Sequence, residues 1–261
     1  MQYLLRNKIS YIIIISLSIS SAAIAQRGEV FRPDHDELPY YFGLSVGLSS
    51  YNASYLLNSS FLTVNAANQL PMSAIQISPV NSIFLNLGLV GTKKISNNIY
   101  IRANPNFLIS GNKTFSFNVK ATKDSSQTFS TASAIIQLPI AIKFQSDRYN
   151  GFRYTNFMRH YLILGGKFDF DVVSSRSGKI NPPVLFTSPQ NYPSILKGTD
   201  FGAEIGVGLS FYLRYATISP EVKFSYGLRD LKKVSPGTPP LLSNLDKVSA
   251  NFVYFTIHIE N

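Results

Sequence analysis

Asp200–Leu213 reads DFGAEIGVGLSFYL, with Phe201, Ala203, Ile205, Val207, Leu209, Phe211 and Leu213 at every second position. Between them stand Asp200, Gly202, Glu204, Gly206, Gly208, Ser210 and Tyr212. Strict alternation of this kind is a strand with two unlike faces. In a soluble sheet the apolar face packs inward and the charges meet water. In a barrel set in lipid the sense is reversed: Glu204 is enclosed and the Phe and Leu side chains face acyl chains. The rest of the chain decides between these two readings.

Outward from that stretch, the same alternation recurs. Phe42, Leu44, Val46 and Leu48 alternate with Gly43, Ser45, Gly47 and Ser49, and Ile83, Leu85, Leu87 and Leu89 flank Asn86 and Gly88. Ile99, Ile101, Ala103, Phe107 and Ile109 oppose Arg102, Asn104 and Asn106; Ile136, Leu138, Ile140, Ile142 and Phe144 oppose Gln137, Lys143 and Gln145. Leu162, Leu164, Phe168, Phe170 and Val172 oppose Lys167, Asp169 and Asp171. Beyond the quoted stretch, Ile218, Val222, Phe224, Tyr226 and Leu228 alternate with Ser219, Glu221, Lys223, Ser225 and Gly227, and Val253, Phe255, Ile257 and Ile259 share one face near the end.

Eight strands result, and their connectors run long, short, long, short, long, short, long. The short ones are the polar turn TKKISNN (92–98), SDRYNGFRYTN (146–156) and Arg214–Ala216. The long ones span about 50–81, 111–131, the segment holding PPVLFTSPQNYPS (182–194), and 229–247. Exported transmembrane barrels have an even strand number, short periplasmic turns and longer outer loops. A soluble sandwich mixes loop lengths at both ends. Segments of about ten residues also suffice to cross a bilayer at a tilt. The expectation is an all-β chain folded as an eight-stranded antiparallel transmembrane β-barrel with a polar, side-chain-filled interior, both termini on the periplasmic side of a bacterial outer membrane.

The remaining chain agrees with export. MQYLLRNK carries Arg6 and Lys8, ISYIIIISLSIS follows as an apolar core, and Ala23-Ile24-Ala25 precedes Gln26 as a small-x-small cleavage site. Residues 1–25 are therefore expected to be a signal peptide, 26–39 a polar periplasmic tail, and 40–261 the barrel. The chain has no cysteine, so neither a disulfide nor a lipidated cysteine contributes to it. The formal charge of +10 is scattered along loops and strands rather than gathered into a stripe, which argues against nucleic acid as a partner.

The inward positions carry the candidate site. Arg102, Lys143, Lys167, Asp169, Glu204, Glu221 and Lys223 share the interior face. Strand order places Glu204 beside Lys167 and Lys223. Eight strands leave room only for side chains, and an enclosed charge is tolerable only when paired and hydrogen-bonded. The expected role is a structural salt-bridge plug rather than a charged path. Pro105, Pro139 and Pro220 each remove a ladder donor, and a bulge or local break is expected at one or more of them.

No catalytic, cofactor-binding or metal residue is expected. Asp34-His35-Asp36-Glu37 places one imidazole among carboxylates on a polar tail, a weak ligand pattern. His160 and His258 fall near the rim of the short turns, away from the outer rim where an enzyme of this size class would work. GVG in the quoted stretch lacks the spacing and following helix of a phosphate loop, so no cofactor is expected. Tyr40, Tyr41, Tyr100, Tyr161, Tyr212 and Tyr254 lie near strand ends and read as interfacial aromatic anchors, although some point inward by register.

IIQLPIAIKFQ (135–145), followed by YLILGGKFDFDV (161–172), resembles the I-P-L-x-x-K strand and glycine-bearing next strand of small outer-membrane barrels. PDHDELPYYFGLSVGLSSYN (33–52), an acidic tail running into P-Y-x-F-G-x-x-x-G, resembles the PorT family of the type IX secretion system. That resemblance spans most of the chain after residue 25. It implies a non-enzymatic, membrane-embedded component required for type IX protein secretion and linked to gliding motility, with other secretion-system membrane proteins and outer-membrane lipid as partners. It carries over no catalytic residue. One departure is the end of the chain, Ile259-Glu260-Asn261, where many outer-membrane barrels end in an aromatic residue. The alternatives are a surface adhesin or membrane-stabilising barrel using the long loops, and a lipid-modifying enzyme.

Overall fold

The computed structural model describes residues 37–57, 74–119, 126–148, 157–173, 177–181, 190–193, 196–233 and 245–261. The segment 1–25 expected to be a signal peptide, most of the expected tail and the Asp34-His35-Asp36 cluster lie outside the described residues. The chain forms β1 (Tyr40–Leu57), β2 (Ala74–Val80), β3 (Ser82–Lys94), β4 (Ile99–Ala103), β5 (Asn106–Val119) and β6 (Ser126–Gln145). β7 (Met158–Asp171), β8 (Ser177–Asn181), β9 (Gln190–Pro193), β10 (Thr199–Tyr212), β11 (Thr217–Gly227) and β12 (Leu245–Glu260) follow.

Every pairing is antiparallel, and the first and last strands meet along most of their length, from Gly43↔Glu260 to Leu57↔Leu245. The ring then runs β1–β3–β4/β5–β6–β7–β10–β11–β12 and back to β1, which is eight strands once β4 and β5 are counted as one broken strand. Lipid supplies no hydrogen bonds, so a closed ring of this kind is the one sheet form that leaves no edge unsatisfied. Phe42, Ile83, Ile140 and Phe255 stand outside, while Ser45, Asn86, Gln137, Glu204 and Glu221 are buried within. The alternation is thus inside out relative to a soluble sheet.

The strands run well beyond the segments marked by apolar alternation. β1 has 18 residues and β6 has 20. At ~3.4 Å per residue β1 extends roughly 60 Å, more than a tilted crossing of a ~30 Å hydrocarbon core needs. Much of the expected loop at 111–131 is a hairpin continuing β5 and β6, and β2 and the β8–β9 pair widen it into the sheet β2-β5-β6-β8-β9. These parts lie beyond the lipid-facing band: the described outward residues of β5 there include Asn112, Thr114 and Ser116, and apolar alternation shrinks to the short piece FSFNV (115–119), too brief to mark a crossing. Among the described residues β9, at Gln190–Pro193, pairs only with β8, and proline is admissible on such an edge.

The prolines explain the breaks. Pro105 interrupts the third strand between β4 and β5, yet the register against β3 continues from Gly91↔Ala103 to Gly88↔Asn106. Leu89 N–H donates to the Pro105 carbonyl at 3.0 Å, and Pro105 has no N–H to return. The Asn104 side chain supplies the missing donor, its Nδ2 reaching the Leu89 carbonyl at 2.9 Å. Pro139 falls opposite the same gap and accepts from Asn104 N–H at 3.2 Å. A further irregularity lies between Leu108 and Gly111, where Ser110 takes a positive φ of 67° and the β5–β6 register shifts. A side chain at Gly111 would collide with the Phe84 ring.

Replacing Asn104 by Leu leaves the Leu89 carbonyl unsatisfied, which costs about 1–3 kcal/mol. Pro105→Ala restores the backbone donor and recovers most of that loss in the double variant. Urea titration of the folded barrel, read from the migration of unheated samples on gels, measures both. A double variant no more stable than Asn104→Leu alone refutes the substitution of one donor for the other.

Candidate functional site

The interior is filled in levels stacked along the barrel axis. Nearest the short turns, alternation brings Arg102 of β4, Glu221 of β11 and Glu260 of β12 together. Arg102 donates to Glu221 Oε2 at 3.0 Å and to Glu260 at 3.3 Å, and its Nε reaches Thr92 Oγ1 at 3.3 Å. Thr92 donates to Glu260 Oε1 at 2.9 Å, and Tyr161 OH donates to Glu221 Oε2 at 3.1 Å. Lys143 places its ammonium over the Tyr161 ring, 4.2 Å from the centroid. His258 Nε2 lies 3.4 Å from the Glu221 carboxylate.

At mid-height, Lys223 of β11 meets Glu204 of β10 at 3.0 Å, and Lys167 meets Asp169 at 2.6 Å. Lys167, expected beside Glu204, therefore pairs two residues along its own strand. Gln137 donates through Nε2 to Asp169 Oδ1 at 2.8 Å and to Tyr254 OH at 2.7 Å. The Lys167 ammonium rests 4.4 Å from the Phe252 ring centroid and that of Lys223 lies 4.9 Å from Tyr254. Aromatic faces and carboxylates thus share these cations, which is how a desolvated charge is made tolerable.

Toward the loop end, Lys113 bridges to Asp171 at 2.7 Å and Ser133 also donates to Asp171. An interior cavity between Lys113, Asp171 and Asp200 has about 10 Å³, room for roughly one water. Above it Tyr51, Phe84, Leu108, Phe252, Leu196 and Leu231 belong to one apolar cluster. Lys197 N–H donates to the Leu231 carbonyl at 2.7 Å and Leu231 N–H to that of Val248 at 2.8 Å, tying these segments across the mouth. The arrangement holds charge in place and fills the bore.

Several interior residues were outside the sequence-based set. Asp171 continues the alternation of Lys167 and Asp169, a signal already present. Lys113 lay in a segment read as loop. Glu260 and His258 lay at the end of the last strand, where His258 was placed at a rim; both are buried and engaged at the level of Arg102. The aromatic expectation also needs correction. Of the six tyrosines read as anchors, Tyr41, Tyr100, Tyr161, Tyr212 and Tyr254 are buried, and Tyr40 stands exposed at 51%. Even-and-odd register sends the five inward, where the rings of Tyr100, Tyr161, Tyr212 and Tyr254 back cations, Tyr41 packs against Tyr100, and Gln145 donates to Tyr212 OH at 2.9 Å.

A Ser–His contact exists on the outer wall: Ser146 Oγ and His160 Nδ1 are 3.2 Å apart, and His160 N–H donates to the same oxygen at 3.2 Å. Asp147 adjoins them, held by Asn98 Nδ2 at 3.0 Å. This group sits at the short-turn end.

Comparison with known proteins adds the family. A family model described as "Outer membrane protein beta-barrel domain" matches residues 31–233. No curated protein matches the chain in sequence. Among solved structures, Ail, the attachment invasion locus protein of Yersinia pestis, aligns at 10% identity and TM-score 0.37, covering 86% of this chain and 100% of that one. Neisserial surface protein A aligns at 11% identity and TM-score 0.39, covering 85% of this chain and 97% of that one. OprG from Pseudomonas aeruginosa aligns at 15% identity and TM-score 0.39, covering 85% and 95%.

Arg102→Met leaves two buried carboxylates without their cation and destabilises the barrel by about 3–5 kcal/mol. Adding Glu221→Gln and Glu260→Gln recovers more than half of the loss. Equilibrium urea unfolding in lipid vesicles, followed by tyrosine fluorescence, gives both numbers. A loss that the added substitutions leave unchanged refutes charge imbalance as its cause.

Proposed function

The chain belongs to the outer membrane protein beta-barrel domain family, and on that premise we propose that it is a non-enzymatic component of the type IX secretion machinery in the bacterial outer membrane. It acts through protein contacts made by the periplasmic tail, the outer loops or the lipid-facing wall. The observation that carries the reading is the stretch 33–52, which resembles the PorT family and runs directly into the first barrel strand. A filled interior supports it. Arg102, Lys113, Lys167 and Lys223 are each engaged with a carboxylate, so work through surfaces fits the chain better than transport through its bore.

Orientation belongs to the same proposal. The short connections at 95–98 and 213–216 and both ends of the barrel lie at one rim, and short turns are periplasmic in barrels of this kind. The projecting sheet β2-β5-β6-β8-β9 then stands outside the cell. That sheet favours the second reading, a surface adhesin or membrane-stabilising barrel.

Deletion of the gene separates the two. The secretion role predicts that proteins with C-terminal sorting domains accumulate in the periplasm and that the intact gene restores their release. Normal export in the deletion strain rejects a required secretion role and leaves the adhesin or stabilising reading.

A further inference from the structure

On the outer wall near the short turns, one level of paired residues forms an unbroken row: Ile99, Phe144, Leu162, Val207, Val222 and Phe255. Phe144 and Phe255 stand at its sides, and the two valines between them are shorter. One level nearer the rim, Leu209 and Ser210 face Ser219 and Pro220 without ladder pairing, although the β10–β11 register resumes unchanged at Phe211↔Ile218. The wall is recessed here into a groove of about 730 Å³. That volume is in the range of sites for whole small molecules.

The rim end of the groove is polar. Asn98, Ser146 and His160 line it, and each is held in place by the backbone. Ser146 N–H donates to the His160 carbonyl at 2.9 Å, and Asn98 Nδ2 donates to the Gln145 carbonyl at 3.0 Å. The His160 ring turns Nδ1 to Ser146, which leaves Nε2 as its edge for a ligand. Beside these donors stands one carboxylate, Asp147, exposed and hydrogen-bonded to Asn98.

We propose that this groove seats a phospholipid with a primary-ammonium headgroup, its acyl chains over Val207 and Val222. The wall is in the membrane, so the medium that covers the groove is lipid. Charge complementarity selects the headgroup: the phosphate pairs with the imidazolium of His160 through Nε2–H, and the ammonium donates to Asp147, whose carboxylate Asn98 holds in place. A glycerol headgroup has no cation to offer that carboxylate, and a quaternary ammonium has no N–H. The site rests on the membrane placement shown by the family. The proposed orientation decides only which leaflet supplies the lipid.

The test is native mass spectrometry of the full chain released from nanodiscs holding equal phosphatidylethanolamine and phosphatidylglycerol. Wild type is expected to retain one phosphatidylethanolamine. Val222→Trp fills the floor and His160→Ala removes the phosphate donor, and each lowers retention about tenfold. Asp147→Asn abolishes the preference over phosphatidylglycerol. Unheated gel migration checks that each variant is folded, and Phe224→Trp, on the same strand but outside the groove, is expected to retain lipid as wild type does. Absence of retained lipid in wild type, preference for phosphatidylglycerol, or retention untouched by Val222→Trp and His160→Ala overturns the site. Failure here leaves the secretion reading intact, because the isolated chain is read without any secretion partner.

Discussion

Every backbone N–H and C=O within the hydrocarbon must find a partner inside the protein, and the rest of this structure follows from meeting that demand. The β1–β12 ladder closes the ring and does most of it. Proline is where the demand is hardest to meet, and this chain sets Pro105, Pro139 and Pro220 in its strands. Two of them are placed against each other. Pro139 lacks its donor where the third strand is already broken at Asn104 and Pro105, so two defects occupy one gap. Asn104 then works twice, through its backbone toward Pro139 and through its side chain toward Leu89. A side-chain amide restores a bond that the backbone cannot make, at the cost of fixing one residue's identity.

Closure with eight strands sets the second constraint. The bore is too narrow for water to solvate charges, yet its lining is rich in them. The answer is pairing at each level, with aromatic rings behind the cations: Tyr161 under Lys143, Phe252 under Lys167, Tyr254 beside Lys223. The levels draw on strands far apart in sequence. Arg102 and Glu260 are 158 residues apart, so their pair forms only when the last strand has docked. An ion pair of this kind discriminates the right closure from a slipped one, since a one-residue slip turns Glu260 into lipid.

Much of this was legible before any coordinates. Alternation located eight crossings and assigned each side chain to a face, because lipid outside and a packed polar bore inside impose opposite chemistry on successive residues. Legibility ended where that contrast ended. Beyond the bilayer the outward residues turn polar and alternation survives only in the short piece 115–119, so the continuations of β5 and β6 looked like loop. Tyrosine is at home on either face, so residue type did not show that Tyr100, Tyr161 and Tyr212 turn inward; only register did. Glu260 fell within the last strand but was left out of the interior charge set, and with it the second partner of Arg102 was lost. The choice between Asp169 and Glu204 as the partner of Lys167 is a matter of rotamer, which alternation does not encode.

Pro220 shows how one backbone defect acts on both faces of a wall only one residue thick. Its β10 ladder is interrupted, while on its other side it remains paired with Ile257. Inside the bore, Ser219 donates to Ser210 at 3.0 Å across that gap, a side-chain bridge where backbone pairing is absent. Both serines are buried, so the hydroxyls satisfy each other out of reach of water. Outside, a proline and two small valines replace the larger side chains that cover the wall elsewhere, and a recess results. Repair on the inner face is what allows the outer face to stay open. A barrel that met every backbone demand with regular pairing would present lipid with a uniformly convex wall, and its only distinctive surfaces would be its loops.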